Sequence, residues 1–234
     1  MSPTVLLVHG AFADGTAWSG VIARLAAAGV RARAVANPLR GLTADGEYVA
    51  SQAAQTEGDV VLVGHSYGGP VITYAGRKAP NVKGLVFLAA FGLDEGENAQ
   101  NATAGYPDTG LGEALRPWAY PGADLPEFTL APEKYRELFA ADLTEEQATV
   151  GAATQRPASA LAFGEPLSVE PAWKNLPSWW IIPTADHTIH PDYQRDRAKA
   201  IGARVTELEG GSHSSAVSRP DEVASVIIEA VRSL

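Results

Sequence analysis

The chain has 234 residues, a net charge of −9, 46% hydrophobic residues and no cysteine. That length suits one domain burying roughly 70–75% of its unfolded surface. The missing cysteine excludes disulfides, thiolate nucleophiles and Cys-ligated zinc or iron–sulfur centres. The acidic balance argues against nucleic acid, which needs clustered Lys and Arg, and against anionic membrane surfaces. No apolar stretch approaches the ~18–20 residues of a spanning helix. Met-Ser-Pro-Thr leads straight into a strand-like run without a charged leader, so a soluble cytoplasmic protein is expected.

Short runs rich in Val and Leu alternate with longer Ala-rich stretches along the chain. Val5–Val8, Val30–Ala36, Val60–Val63, Leu85–Ala90, Trp179–Pro183 and Val205–Leu208 read as strands, several apolar throughout as in parallel sheets buried on both faces. Helices are expected within Trp18–Ala28, closed by Gly29, within Leu42–Thr56, after Gly69, over Pro191–Ile201, closed by Gly202, and over Pro220–Arg232. Pro191 and Pro220 suit a first helical turn, where a missing N–H costs nothing. The alternation predicts an α/β fold with a mostly parallel sheet.

From Leu93 to about Asn175 the rhythm breaks and no convincing strand is readable. Two helices are, Pro132–Ala140 and one entered at Thr144, whose Gln147 completes a capping box. Ten aromatic residues fall between Tyr106 and Trp180. The expected organisation is therefore a core of residues 1–92 and 176–234, with residues 93–175 inserted as a helical cap. Such a cap would cover the carboxyl edge of the sheet, where open α/β sheets bind ligands.

Residues 60–69, Val-Val-Leu-Val-Gly-His-Ser-Tyr-Gly-Gly, hold G-x-S-x-G directly after an apolar strand and before a helix, the context this motif requires. The turn leaves no room for side chains two residues either side of Ser66, hence Gly64 and Gly68. It exposes the Ser66 hydroxyl at a helix N-terminus that favours developing negative charge. Pro70 fits the same first turn.

A serine nucleophile needs a base. His9 is better placed to shape a loop, His65 turns inward within the elbow, and His187 and His190 bracket the end of another strand. His213, in Gly-Gly-Ser-His-Ser after the last strand, is the candidate base. The orienting acid should lie between serine and histidine in the chain. Asp186 fits, with Asp94 as competitor; Glu95 and Glu97 read as solvated loop charges. An Asp186/His187/His190 metal site has no supporting spacing, and neither metal nor cofactor is expected. For the oxyanion, one donor should be the N–H of Tyr67. The other should come from His9-Gly10-Ala11-Phe12, with Ala11 preferred and Phe12 as fallback.

Together these residues resemble the α/β-hydrolase superfamily over nearly the whole chain. More narrowly, Val-His-Gly-Ala-Phe-Ala-Asp-Gly, Ala-Thr-Gln-Arg-Pro (153–157) and Ala-Phe-Gly-Glu-Pro (162–166) are similar to small bacterial hydrolases grouped with plant methylesterases and hydroxynitrile lyases. The resemblance implies an α/β-hydrolase fold with Ser66 as nucleophile, His213 as base, Asp186 as acid, and Tyr67 and Ala11 as oxyanion hole. The chain begins at what would be the fold's third strand, so about six strands are expected. Where the related lyases carry a cyanide-stabilising lysine, this sequence has Ser214.

The activity expected is hydrolysis of small apolar or aryl carboxylic esters through an acyl-enzyme. A lyase, C–C hydrolase or cofactor-free perhydrolase at the same site, or a non-catalytic ligand-binding protein, are the alternatives. Phe12, Trp118, Tyr120, Phe163 and Trp179 are the candidate substrate contacts, although each type is often core packing. Oligomeric state is not legible.

Overall fold

Apolar β-branched runs make the framework, and their pairing fixes where the carboxyl edge lies. In the computed structural model, which describes residues 2–234, six strands form one parallel sheet. They are β1 (Thr4–Val8), β2 (Ala32–Val35), β3 (Val60–His65), β4 (Val82–Leu88), β8 (Ser178–Pro183) and β9 (Arg204–Leu208), ordered β2-β1-β3-β4-β8-β9. Alternation along each strand splits the core in two. Leu6, Leu62, Phe87, Trp180 and Ile182 pack with α2 (Leu42–Ala54), α3 (Gly68–Lys78) and α8 (Pro191–Ile201). Val5, Leu7, Val63, Val86, Trp179 and Ile181 pack with α1 (Ser19–Ala27) and α10 (Pro220–Arg232) on the other face. Helices on both faces exclude water from a sheet whose inner strands are apolar on both sides, while the edge strands β2 and β9 keep Arg33, Arg204 and Glu207 exposed.

Each helix edge follows from local chemistry. Pro191 and Pro220 occupy first turns, and α8 stops at Gly202 with φ +72°, a left-handed position natural to glycine. Thr144 caps α6 (Glu145–Ala153) with the reciprocal bond to Gln147 that the sequence suggests.

The expectation of no strand between Leu93 and Asn175 is corrected. A three-stranded antiparallel sheet of β5 (Leu115–Trp118), β6 (Glu127–Leu130) and β7 (Ala158–Ser159) lies in this segment. With it are α4 (Leu111–Ala114), α5 (Pro132–Phe139), α6 and α7 (Ala160–Gly164). The signal was hidden because β5 is mostly exposed and carries Pro117, tolerated at a sheet edge, while β7 spans two residues. The segment is tied to the core by the Arg40–Glu127 ion pair at 2.7 Å and by the Thr43 N–H donating to Glu165 at 3.1 Å. A final short helix, α9 (Ser215–Ser218), precedes α10.

Candidate active site

β3 delivers the Gly64–Gly68 turn at its carboxyl end, and packing there leaves no freedom. A Cβ on Gly64 would stand 2.4 Å from the Gly68 carbonyl oxygen, and one on Gly68 would stand 2.5 Å from that of Val8. A Cβ on Gly10 would stand 2.6 Å from the Ser66 Cβ, so the first loop also lies against the serine. Ser66 itself is held at φ +54°, a region costly for a residue with a side chain and concentrated at functional sites. Its carbonyl accepts from Gly69 N–H at 2.9 Å as α3 begins.

His213 and Asp186 come from separate loops and meet in the interior. The His213 Nδ1–H donates to Asp186 Oδ2 at 2.9 Å, with both side chains fully buried. This fixes the tautomer, leaving Nε2 as the lone-pair nitrogen, and that atom is buried with no hydrogen-bond partner among the described residues. The ring is edge-on to Phe139 at 4.6 Å and tilted against His65 at 4.7 Å. The His65 Nε2–H donates to the His213 carbonyl at 2.9 Å. The residue before Ser66 thus anchors the loop bearing His213. Burial, first, and the neighbouring His213 hold His65 well below the ordinary imidazole range, so it stays a neutral donor.

Asp186 is saturated. Oδ1 accepts from the N–H groups of Thr188 at 2.8 Å and Ile189 at 3.0 Å, while Oδ2 also accepts from Gln194 Nε2 at 2.8 Å. Gln194, fully buried on α8, also donates to the Ile189 carbonyl; nothing in the sequence marks it. The competitor Asp94 is instead half-exposed and paired with Lys174 at 2.8 Å. His187 donates to the Glu137 carbonyl, and His190 caps α8 by accepting from Asp192 N–H.

His9 shapes its loop as expected. Its Nδ1–H donates to the Gly10 carbonyl, and Nε2 accepts from Asn37 N–H at 3.1 Å. Burial, the dominant cause, pushes its pKa down to about 4. Ala11 and Phe12 follow, with Phe12 at φ +62°. Beyond Ser66, the buried Tyr67 opens α3 and its hydroxyl donates to Asp45 Oδ2 at 2.8 Å. Asp45, fully buried, also accepts from Arg40 N–H, and burial pushes its pKa up.

A cavity of about 460 Å³ opens over Ser66, walled by Ala11 and Phe12 from the core and by Leu111, Phe128, Phe139 and Phe163 from the 93–175 segment. Of the five expected contacts, Phe12 and Phe163 line this cavity, stacked at 6.0 Å. Three expected contacts do not line it. Trp179 faces α10 in the opposite layer, because alternation sends Trp180 and Trp179 to opposite sides of the sheet. Trp118 is 57% exposed, its indole N–H donating to Thr129. Tyr120 sits under the Arg40 guanidinium, its hydroxyl donating to Ser159.

A model of the Alpha/beta hydrolase family matches residues 5–226, and the chain belongs to that family. It is 28% identical over 244 residues to a pyrethroid hydrolase of Sphingobium wenxiniae, a match covering 96% of this chain and 86% of that protein. It is 38% identical over 106 residues to a carbendazim hydrolyzing esterase of a Nocardioides species, covering 40% of this chain and 44% of that one. A methylesterase crystal structure from Arabidopsis superposes with a TM-score of 0.82 at 22% identity, covering 99% of this chain and all 100% of the other. That likeness is one of fold.

Proposed function

We propose that the protein is a serine esterase that cleaves carboxylic esters of small apolar or aryl substrates through an acyl-enzyme. The observation carrying this reading is the buried His213, whose Nδ1–H is committed to Asp186 while Nε2 keeps a free lone pair beside the Ser66 elbow. In this reading Ser66 Oγ attacks the ester carbonyl carbon as its proton passes to His213 Nε2. The N–H groups of Tyr67 and Ala11 hold the oxyanion. The C–O bond to the alcohol then breaks, and the proton on His213 goes to the leaving oxygen. Water, deprotonated by the same nitrogen, attacks the acyl carbon; the acid leaves and Ser66 recovers its proton. Asp186 keeps the imidazole oriented and steadies its transient charge.

Family membership supports the reading, as do relatives named for hydrolysing a pyrethroid and carbendazim. The phenylalanine-rich wall supports an apolar or aryl substrate. Ser214, standing where a lyase lysine would, donates its hydroxyl to the Phe139 carbonyl at 2.8 Å and offers no cation.

The test is hydrolysis of p-nitrophenyl butyrate at pH 7–8 by the wild type and by Ser66→Ala. Turnover in the wild type, cut at least about thousandfold in a normally folded variant, is the expected result. Equal rates in both would remove Ser66 from the chemistry.

A further inference from the structure

Five of the chain's six phenylalanines line the cavity over Ser66: Phe12, Phe91, Phe128, Phe139 and Phe163. No Lys, Arg, His, Tyr or Trp lines it, and Asp108 is the sole carboxylate among its walls. Asp108 is exposed in the loop before α4, where its Oδ1 accepts from Gly110 N–H at 2.9 Å. It forms no ion pair among the described residues. Arg195, His187 and His190 line a surface depression with it, each bonded elsewhere: Arg195 to Glu207 and Asp192 at 2.8 Å, His187 to the Glu137 carbonyl and His190 to Asp192 N–H.

A carboxylate and aromatic rings act in the same direction. The ring quadrupole presents negative charge on its face and attracts ammonium groups, and an exposed carboxylate at the cavity wall adds an attraction that salt screens. Both repel anions, and the whole-molecule charge of −9 adds a long-range bias of the same sign. A purely hydrophobic cavity would be indifferent to charge beyond desolvation; this one is lopsided.

We propose that, among esters with an apolar or aryl body, the cavity prefers those that also carry an ammonium group, with Asp108 as counter-charge and the phenylalanine rings as the walls around it. The inference rests on the serine-esterase reading of the same site. Asp108 determines specificity and takes no part in bond making.

The test uses p-nitrophenyl esters of three acyl groups with a common three-methylene stem. 4-(Trimethylammonio)butanoate and 5,5-dimethylhexanoate are the cationic and neutral isosteres, and glutarate is an anion. At low salt, wild-type kcat/KM should be about tenfold higher for the cation than for the neutral ester, and the anion should be the poorest. Asp108→Asn should bring the cation-to-neutral ratio to within about twofold. Equal use of cation and neutral ester by the wild type, or an unchanged ratio in Asp108→Asn, overturns the proposal while leaving ester hydrolysis standing. Absence of turnover with all three would count against the esterase reading itself, so recognition is also read without chemistry. Calorimetric titration of Ser66→Ala with phenyltrimethylammonium should show binding that is lost in Ser66→Ala/Asp108→Asn. No binding, or equal binding by both variants, overturns the selectivity.

Discussion

Tyr67 carries two assignments that run in opposite directions from one residue. Its N–H follows the nucleophile and points the reading toward the oxyanion, while its hydroxyl reaches back to the buried Asp45. Asp45 in turn accepts from the N–H groups of Arg40 and Gly41. Tyr67→Phe leaves the backbone donor but strips Asp45 of its only side-chain donor, and a buried acceptor deprived of a partner costs about 1–3 kcal/mol. The expected outcome is a lower urea midpoint together with a several-fold fall in kcat at little change in KM. A variant that lost stability with kcat intact would confine the hydroxyl to a structural role. The strained Ser66 turn and the His213–Asp186 pair were legible as local geometry because motif, chain order and flanking strands constrain them. Asp45 and Gln194 were not: their partners Tyr67 and Asp186 meet them only through the fold, no motif spacing joins them, and each residue type is ordinary on a helix. Trp118, Tyr120 and Trp179 misled for the converse reason: residue type announces an aromatic surface but not which face it joins.

At the scale of elements, two glycines, one in the elbow and one closing α1, separate two physical effects. Gly68 is required by space: its missing Cβ would stand 2.5 Å from the Val8 carbonyl oxygen. Gly29, at the end of α1, has φ +74°, and a Cβ there would meet nothing within 4 Å. Gly68→Ala should therefore cost about 3 kcal/mol or more, since backbone has to move. Gly29→Ala should cost about 1–2 kcal/mol from left-handed strain alone. Denaturant melts of the two variants check the ranking, and a Gly68→Ala protein as stable as wild type would mean that β1 and α3 can separate. The inner core strands β1, β3, β4 and β8 could be read from composition because they are buried on both faces, and the edge strands β2 and β9, more exposed, from their place in the alternation with helices. The small sheet could not, because β5 is mostly exposed and carries Pro117, and the alternation in β6 runs for only four residues, Glu127–Leu130.

The whole molecule should weaken on mild acidification, and the sign follows from His9 and His65. Burial holds His9 at about 4 against an ordinary 6.5, with Arg156 lowering it further and Asp14 and the Gly10 carbonyl opposing. Between those values the unfolded chain binds a proton that the folded one refuses. Stability is therefore full above pH 6.5 and falls as pH drops toward 4. For His9 alone the loss reaches about 3 kcal/mol, and His65 shifts in the same direction. Urea midpoints should decline from pH 7 to pH 5, above the range where most carboxylates titrate, and less steeply in His9→Gln. A flat profile over that window would place the buried imidazoles in contact with solvent.

The strand order also sets a timetable. Ser66 belongs to the half of the sheet built from β1 to β4, whereas Asp186 and His213 follow β8 and β9. The halves join where Leu85–Leu88 pair with Ser178–Ile181, across the entire 93–175 segment. Pairing so distant in sequence is slow to nucleate, because loop closure precedes its reward. During refolding, helical signal and an ordered elbow can return before His213 is brought up to that elbow. In the serine-esterase reading, recovery of turnover should then lag recovery of helix, and a newborn chain would stay inert until His213, near its end, has emerged.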